Sequence, residues 1–259
     1  MKRILAIANQ KGGVGKTTTA VNLAASLANQ DRRVLVVDLD PQANCTSGLG
    51  FAKGTVAEGI YEALSGERPI RELLQLTEVP NLWLVPATRD LSGAEVELVS
   101  VERREWRLKD ALGPVADQFE YVIIDCPPSL GLLTLNALVA ATAVVIPMQC
   151  EYYALEGLSL LVETIEQVKA SLNPALEIEG ILLTMVDQRM NLTQQVADEV
   201  RAHFAGKVYQ TTIPRNVRLS EAPSHGKPIL LYDQRSTGCL SYQALAEELL
   251  HRARQTAAA

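Results

Sequence analysis

Two lysines five residues apart enclose a glycine-rich segment near the start of the chain, and this combination favours phosphate binding. The segment is Lys11-Gly12-Gly13-Val14-Gly15-Lys16-Thr17-Thr18. Its glycines allow backbone N–H groups to turn toward phosphate oxygens, and a helix that begins here adds the partial positive charge of its N-terminus. In such a loop Lys16 reaches the β- and γ-phosphates of a nucleotide, and the Thr17 hydroxyl is a ligand of Mg²⁺. One position departs from the common G-x-x-x-x-G-K-[ST] pattern, because Gln10 stands where that pattern has its first glycine.

Three aspartates follow apolar runs and supply the negative charge that a magnesium site requires. Asp125 ends the run 121–124 and is expected to hold Mg²⁺ through water. Asp38 and Asp40 stand two positions apart, so they share one face of an extended chain, and Pro41 keeps Asp40 extended. Phosphoryl transfer depends mainly on positioning and charge stabilisation, so a carboxylate beside the γ-phosphate, two lysines and Mg²⁺ form a sufficient set. We therefore predict a catalytic role for Lys16, and we assign Asp38 to Mg²⁺ and loop support.

The elements that must position these residues alternate between short apolar runs and longer stretches of helical period. Nearly continuous Val, Ile and Leu runs predict strands covered on both faces at residues 3–8, 34–38, 82–86, 121–125, 143–148, 178–185 and, weakly, 208–213. Helices are predicted at residues 17–29, 55–64, 104–117, 132–141, 155–171, 192–204 and 242–254. This alternation is typical of an α/β fold with a mostly parallel twisted sheet and helices on both faces. Because ligands bind at the carboxyl ends of such strands, the glycine-rich segment and the aspartates should meet at one edge of the sheet.

The composition is that of an ordinary globular protein. The chain has 259 residues and a formal net charge of −6, with 47% hydrophobic, 21% charged and 5% aromatic residues. These values exclude a disordered or collagenous chain and predict a single domain over residues 1–259, with a frayed tail at 255–259. They also argue against a strongly basic nucleic-acid binder, so a contact with DNA must come from a local patch. Four scattered cysteines predict reduced thiols, and no apolar run suffices for a signal peptide or a spanning helix, so we expect a soluble, cytoplasmic protein.

The glycine-rich segment and four further motifs resemble one protein family over nearly the whole chain. The sequence KGGVGKTT resembles the deviant Walker A motif of the MinD/ParA group of P-loop ATPases. The segments 38–50, 125–131, 184–189 and 213–228 are similar to those of the ParA partition ATPases, in particular the short Soj branch. One mild departure is Ala43, which stands where many members have glycine. The chain starts almost directly at its first predicted strand, so we do not expect the helix-turn-helix extension of the longer plasmid proteins.

This resemblance implies a mechanism and a set of partners. Lys11 is expected to reach across a two-fold interface to the nucleotide of a second subunit, which makes homodimerisation depend on ATP. Asp125 corresponds to the Walker B aspartate, and Asp40 to the switch I aspartate that orients the attacking water. The resemblance therefore implies catalytic roles for Lys11 and Asp40 in addition to Lys16. The ATP-bound dimer of such proteins binds double-stranded DNA without sequence preference on the nucleoid. A ParB-type centromere-binding protein stimulates hydrolysis, which releases the dimer from DNA.

The resemblance also assigns contacts for the base and for DNA. The adenine is expected near Met185, Pro214 and Asn216, although core packing is an equally good interpretation of Met185. Basic residues for DNA are expected at Arg189 and Arg218, with Arg215 and Lys227 nearby. The stretch 189–235 carries seven Lys or Arg and four Asp or Glu, a local charge of +3 in an acidic chain. Such an excess is weak by itself, but a dimer doubles it, and phosphate contacts act jointly.

Three alternatives stay open from the sequence. A MinD-like, membrane-associated division-site ATPase would end in an amphipathic helix. Here Leu240, Leu245, Leu249 and Leu250 stand opposite Glu247 and Glu248, which favours core packing, so we expect no stable membrane association. An iron–sulfur ATPase would need paired exposed cysteines, for which Cys126 and Cys150 are the candidates. A non-hydrolysing DNA-coating protein would not require the set of Lys16, Thr17, Asp40 and Asp125.

Overall fold

A mostly parallel sheet forms the centre of the molecule, which was analysed as a computed structural model. The structure describes residues 2–151, 154–187 and 189–258; Gln188 of the 184–189 motif and Ala259 of the predicted tail lie outside the described residues. Within these ranges, seven strands form one sheet: β1 (Arg3–Ile7), β2 (Val34–Asp38), β3 (Gln75–Leu76), β4 (Leu82–Val85), β5 (Tyr121–Asp125), β6 (Ala143–Gln149) and β7 (Glu177–Thr184). Their spatial order is β3-β4-β2-β5-β1-β6-β7. Only β3 pairs antiparallel among these strands, so the predicted α/β fold is confirmed.

Helices cover both faces of the sheet. They are α1 (Lys16–Ala28), α2 (Asn44–Gly48), α3 (Ile60–Ser65), α4 (Leu91–Glu97), α5 (Arg107–Leu112), α6 (Leu132–Ala140), α7 (Ala154–Ser171), α8 (Asn191–His203), α9 (Val217–Glu221), α10 (Ile229–Tyr232) and α11 (Thr237–Ala258). Helices α3 to α8 pack on one face, and α1, α2 and α9 to α11 contribute to the core on the other. Because the central strands contact helices on both sides, every residue of β2 and of β5 is buried. This explains their continuous apolar sequence.

The predicted helix 55–64 begins five residues late, at Ile60. Gly59 is extended and its N–H donates to the Glu62 carboxylate at 2.6 Å, so the helix is capped from within its first turn. A Cβ at Gly59 would lie 2.3 Å from the Pro86 carbonyl oxygen, which explains the glycine. Periodicity alone does not locate this cap.

Two further predicted elements are also less regular than expected. The stretch 104–117 contains a 3₁₀ turn at Arg104–Trp106 and then α5, which ends before Gly113 and Pro114. The predicted strand 208–213 follows the edge of β7 only irregularly. Val208 forms an isolated bridge with Ile181, and a second bridge joins Pro214, beyond the predicted end of the strand, to Val186 after β7.

The last helix packs as part of the core. Leu245 and Leu249 are completely buried and Leu250 nearly so, whereas Leu240 is exposed. The helix continues to Ala258, beyond the predicted end at Arg254. Among the described residues no helix combines the length and the apolar character needed to cross a membrane.

Candidate nucleotide site

The carboxyl ends of three adjacent strands bring the predicted site residues together. β5 lies between β1 and β2, and Asp125 pairs in register with Ile7 on one side and with Asp38 on the other. The chain leaves β1 directly into the glycine-rich segment, which ends where α1 begins at Lys16. The predicted meeting of this segment with the two strand-end aspartates is therefore confirmed.

Two glycines of the segment have left-handed backbone conformations. Gly13 has φ +74° and Gly15 has φ +89°, which L-residues with a Cβ rarely adopt. The Val14 side chain between them is buried, and its carbonyl oxygen accepts a hydrogen bond from the Thr184 hydroxyl at 2.8 Å. These contacts fix the curvature of the loop, and α1 starts with its N-terminal N–H groups available to an anion.

Asn9 and Gln10 hold the loop against the neighbouring β6–α7 segment. The Asn9 amide donates to the Pro147 carbonyl at 2.8 Å and its oxygen accepts from the Lys11 N–H at 2.9 Å. The Gln10 amide donates to the Gly157 carbonyl at 3.1 Å. The residue that departs from the common phosphate-loop pattern thus links the loop to α7, which a glycine at that position would not do.

The two lysines of the segment occupy different environments. Lys16 is buried, and its ammonium donates to the Lys11 carbonyl at 3.0 Å. Burial lowers the pKa of Lys16, while the charges of Asp125 and Asp40 act in the opposite direction. The Lys11 side chain is 44% exposed and forms an ion pair with Glu151. Lys16 therefore points into the site and Lys11 lies at its surface.

Asp38 and Asp125 are both completely buried, but they differ in their hydrogen bonds. One Asp38 oxygen accepts from the Thr46 N–H at 2.7 Å and from the Thr46 hydroxyl at 2.6 Å, and the other accepts from the Asp40 N–H at 3.2 Å. Asp125 has no comparable set of donors: among the described residues only the Thr17 hydroxyl lies near enough to lower its pKa by hydrogen bonding. Asp38 is thus bonded to the turn that follows β2, whereas the Asp125 oxygens remain open to a ligand.

Burial shifts the pKa of both carboxyl groups upward. It raises the pKa of Asp38 to about 6, although the hydrogen bonds from Thr46 oppose the shift. Burial together with the nearby charge of Asp38 raises the pKa of Asp125 well above its ordinary value, while Thr17 and Lys16 lower it. Burial thus disfavours the ionised form of both carboxyl groups, and a bound cation would favour that form.

The metal-free protein is expected to lose stability as the pH rises. Because the folded-state pKa values of Asp38 and Asp125 lie above their unfolded values, the folded protein binds more protons, and stability falls as the pH rises through these values. Asp125→Asn should flatten this dependence, since an unsatisfied buried charge costs about 1–3 kcal/mol. Thermal unfolding in EDTA between pH 5.5 and 8 measures the effect, at roughly 2–4 °C per kcal/mol. Asp117→Asn, at a residue 88% exposed, is the control, and equal slopes in all three proteins would contradict the prediction.

Asp40 lies two residues after Asp38, in a tight turn that the Ala43 N–H closes by donating to the Asp40 carbonyl at 2.9 Å. It is 6% exposed, and one of its carboxylate oxygens accepts from the Gln42 N–H at 2.9 Å. Ala43, two residues after Pro41, has φ +53°, a conformation that glycine adopts without strain. Ala43 is therefore a strained residue in this turn.

A cavity of about 310 Å³ lies beside the glycine-rich segment. Met185, Pro214 and Asn216, the residues expected near the base, all line it, together with Gly15 and Thr18. Met185, the first residue after β7, is half-buried and has φ +51°. It forms part of the cavity wall. Thr184 and Tyr242 of α11 also line the cavity. Sequence periodicity does not predict a place in the site for either residue. The Tyr242 hydroxyl forms a hydrogen bond with the Thr19 hydroxyl of α1 at 3.2 Å.

The basic residues predicted for DNA are all exposed, but they differ in their partners. Arg189 forms an ion pair with Asp187 at 2.7 Å, and Arg218 pairs with Glu221 at 2.9 Å and with Asp233 at 3.5 Å. Arg215 and Lys227 form no ion pair with any described residue. The four cysteines are free and buried, so Cys126 and Cys150 do not have the exposure that a cluster bridged between subunits needs.

Comparisons with known proteins agree with this site. Residues 2–178 match the family described as AAA domain. The chromosome partitioning protein ParA of Myxococcus xanthus is 63% identical over 250 residues, which are 96% of this chain and 88% of that protein. The sporulation initiation inhibitor protein Soj of Bacillus subtilis is 59% identical over 249 residues, 96% of this chain and 98% of that protein.

Solved structures with the same fold include nucleotide complexes. Cobyrinic acid a,c-diamide synthase of Mycobacterium smegmatis, with bound ADP and magnesium, superposes with a TM-score of 0.87 at 39% identity over 98% of this chain and 96% of that one. The cell division ATPase MinD of Pyrococcus furiosus superposes with a TM-score of 0.79 at 25% identity over 97% and 99% of the two chains. The ParA and Soj relatives are much more similar to this chain in sequence than the proteins of these two structures are. The chain thus belongs to the ParA/Soj family of chromosome-partitioning ATPases.

Proposed function

We propose that this chain hydrolyses ATP with Mg²⁺ and that the nucleotide controls both its dimerisation and its binding to DNA. The observation that carries this proposal is the buried Lys16 at the start of α1, with Asp125 and Asp40 close enough to act on its charge. A buried ammonium at a helix N-terminus attracts phosphate, and the carboxylates provide for a metal ion and for a water molecule. The adjoining cavity beside Gly15 and Met185 has room for the base.

The residues present fit a magnesium ion that is held together with the phosphates of the substrate. The buried oxygens of Asp125 have no hydrogen-bond donor nearby among the described residues other than the Thr17 hydroxyl on the first turn of α1, so they can accept a cation or water. No group of three or more His, Cys, Asp or Glu side chains among the described residues could hold a metal by itself. Thr17 and Asp125 would therefore hold Mg²⁺ with the β- and γ-phosphates, as the family pattern implies. When bound, the ion neutralises charge that develops on the phosphate oxygens.

The chain's own residues divide the remaining work. The backbone N–H groups of residues 12–16 and the Lys16 ammonium bind the phosphates, and Asp40 orients the attacking water. Asn216 keeps hydrogen-bonding capacity toward a purine: its oxygen accepts once, from the Leu219 N–H at 3.2 Å, and its NH₂ group donates once, to Thr237 at 2.8 Å. An amide oxygen has two lone pairs and an amide nitrogen two hydrogens, so one of each is left.

Dimerisation is assigned to Lys11, which lies at the surface of the site. Its partner Glu151 is 45% exposed, so the pair is solvated and of small net strength. Lys11 can therefore leave Glu151 and contact the nucleotide of a second subunit at little cost in free energy. This supports the role that the family resemblance implies for Lys11.

DNA binding is assigned to the exposed arginines and lysine of the 189–227 region. Arg215 and Lys227 have no ion pair to break within the described part of the chain, while Arg189 and Arg218 must share their charge with carboxylates. A dimer would present each of these cations twice, and the affinity would fall steeply with salt. A ParB-type protein would act on this complex by stimulating hydrolysis.

The test is to measure binding to non-specific duplex DNA with ATP, with ADP and without nucleotide, beside anionic liposomes, with Asp40→Ala to retain the ATP state. We expect binding to DNA with ATP alone. Binding to liposomes in place of DNA would favour a division-site role, and ATP-dependent binding to neither would remove the DNA part of the proposal.

Charge reversal at Arg218 tests the DNA-binding surface. Arg218→Glu should abolish binding to DNA, because the new carboxylate repels DNA phosphates. ATP-dependent dimerisation should persist, because residue 218 lies outside the glycine-rich segment. We expect the same results for Arg189→Glu. Gel-shift and sedimentation measurements read the two properties. Arg71→Glu, at a residue 70% exposed outside the 189–227 region, is the matched control. An Arg218→Glu or Arg189→Glu protein that coats DNA normally would exclude that residue from the interface.

A further inference from the structure

Thr46 of α2 lies behind the carboxylates of the site, where it contacts no solvent. It is 1% exposed, and its hydroxyl both donates and accepts a hydrogen bond. The hydroxyl donates to Asp38 at 2.6 Å and accepts from the Ala87 N–H at 2.9 Å. Because both partners are buried, the hydroxyl has no water to replace either contact.

The Asp38 carboxylate extends this contact to Asp40. Its second oxygen accepts the Asp40 N–H at 3.2 Å, while the Leu39 N–H between them donates to the Asp125 carbonyl at 3.0 Å. The backbone of Asp40 is thus held by a chain of contacts that runs from Ala87 through Thr46 and Asp38. The orientation of the Asp40 carboxylate depends on this backbone.

The turn around Asp40 requires such support. Ala43 has a left-handed conformation that costs an L-residue energy, and such conformations persist only where the surroundings determine them. The Thr46 N–H and hydroxyl both bind one Asp38 oxygen, which fixes the start of α2 relative to the end of β2. The hydrogen bond from the Ala87 N–H holds the Thr46 hydroxyl against the segment that follows β4.

We propose that Thr46 is a positioning residue for ATP hydrolysis: its buried hydroxyl holds the Asp38 carboxylate so that Asp40 is set to orient the attacking water. This inference rests on the proposed function of Asp40. Thr46 does not line the base cavity, so its hydroxyl affects turnover and not ATP affinity.

Thr46→Val removes the hydroxyl at nearly constant volume and leaves the Ala87 N–H without an acceptor. We expect kcat to fall about 10- to 100-fold, since misplacement of a reacting group by about 1 Å can cost 10²-fold. The dissociation constant for ATP with Mg²⁺ should stay within about threefold. Thr46→Ser, which restores the hydroxyl, should recover most of the wild-type rate. Thr46→Ala replaces the valine variant if that protein does not fold.

Two comparisons separate positioning from a structural effect. Thr142 also donates to and accepts from one backbone residue, Ile4, both at 3.0 Å, but it lies at the amino end of β6, so Thr142→Val should turn over normally. Combined with Asp40→Ala, Thr46→Val should slow hydrolysis no further, because the two act through one group.

Wild-type turnover by Thr46→Val, an equal loss in Thr46→Ser, or a loss that adds to that of Asp40→Ala would overturn the inference. An Asp40→Ala protein that hydrolyses ATP normally would instead remove the proposed function of Asp40. The two failures are therefore distinguishable.

Discussion

Asp40→Ala is expected to bind ATP and to dimerise, while its rate of hydrolysis falls by about two to three orders of magnitude. This is the loss that follows removal of one positioned group from a preorganised site. Asp40 lies among Lys16, Asp38 and Asp125 but is not part of the glycine-rich loop that binds phosphate. Its removal therefore affects the attacking water and not the affinity for the nucleotide. Single-turnover hydrolysis and sedimentation with ATP measure the two properties on one sample.

Asp40→Asn controls for the backbone of the turn, because its amide oxygen can still accept the Gln42 N–H that Asp40 binds at 2.9 Å. We expect this variant to be as slow as Asp40→Ala, since the charge and not the turn is lost. If either protein hydrolyses ATP at the wild-type rate, Asp40 has no part in the reaction. If ATP binding is lost together with hydrolysis, the division between binding and turnover is wrong.

The second large effect concerns the two lysines, which should fail in different ways. Lys16→Met is expected to weaken ATP binding about 10- to 100-fold, because hydrogen bonds to charged groups contribute about 1.5–3 kcal/mol. Without the buried ammonium, the phosphates would face Asp125 and Asp40 with no protein counter-charge. Lys11→Met should bind ATP as a monomer within about threefold of wild type but not dimerise. Equilibrium titration with ATP and Mg²⁺, followed by sedimentation, separates the two outcomes.

Each lysine variant is the matched control for the other, since the substitutions are identical and five residues apart. Equal loss of ATP affinity in both proteins would assign Lys11 to the nucleotide of its own subunit. Normal ATP binding by Lys16→Met would contradict the phosphate-loop assignment itself. Both proteins should unfold at temperatures near that of the wild type without nucleotide, which thermal denaturation checks.

The order of strands and helices was predictable because buried parallel strands have continuous apolar sequences. Residues 34–38 and 121–125 were predicted with the bounds that the structure has, as every residue in them is buried. Elements whose ends depend on tertiary contacts were not predictable. The start of α3 depends on a glycine that packs against the Pro86 carbonyl, 27 residues away, and α2, α4, α9 and α10 are too short to show a period.

The site was predictable to the extent that sequence neighbours form it. The glycine-rich segment and the strand-end aspartates have local signals, and they meet because adjacent parallel strands end at one edge. Tyr242 and Thr46 have no such signal. The first reaches the cavity through the packing of α11 on α1, and the second reaches Asp38 through a turn that reverses the chain after Pro41.

The contact between α11 and α1 has a consequence for the order of events during synthesis. The glycine-rich segment is made early, but one wall of the cavity beside it, Tyr242, belongs to α11, which is made long afterwards. Leu245 and Leu249 of that helix also complete the core on which α1 packs. A nascent chain still attached to the ribosome therefore has a phosphate loop without a finished pocket. Formation of the complete cavity therefore waits until α11 has emerged from the ribosome and packed on α1.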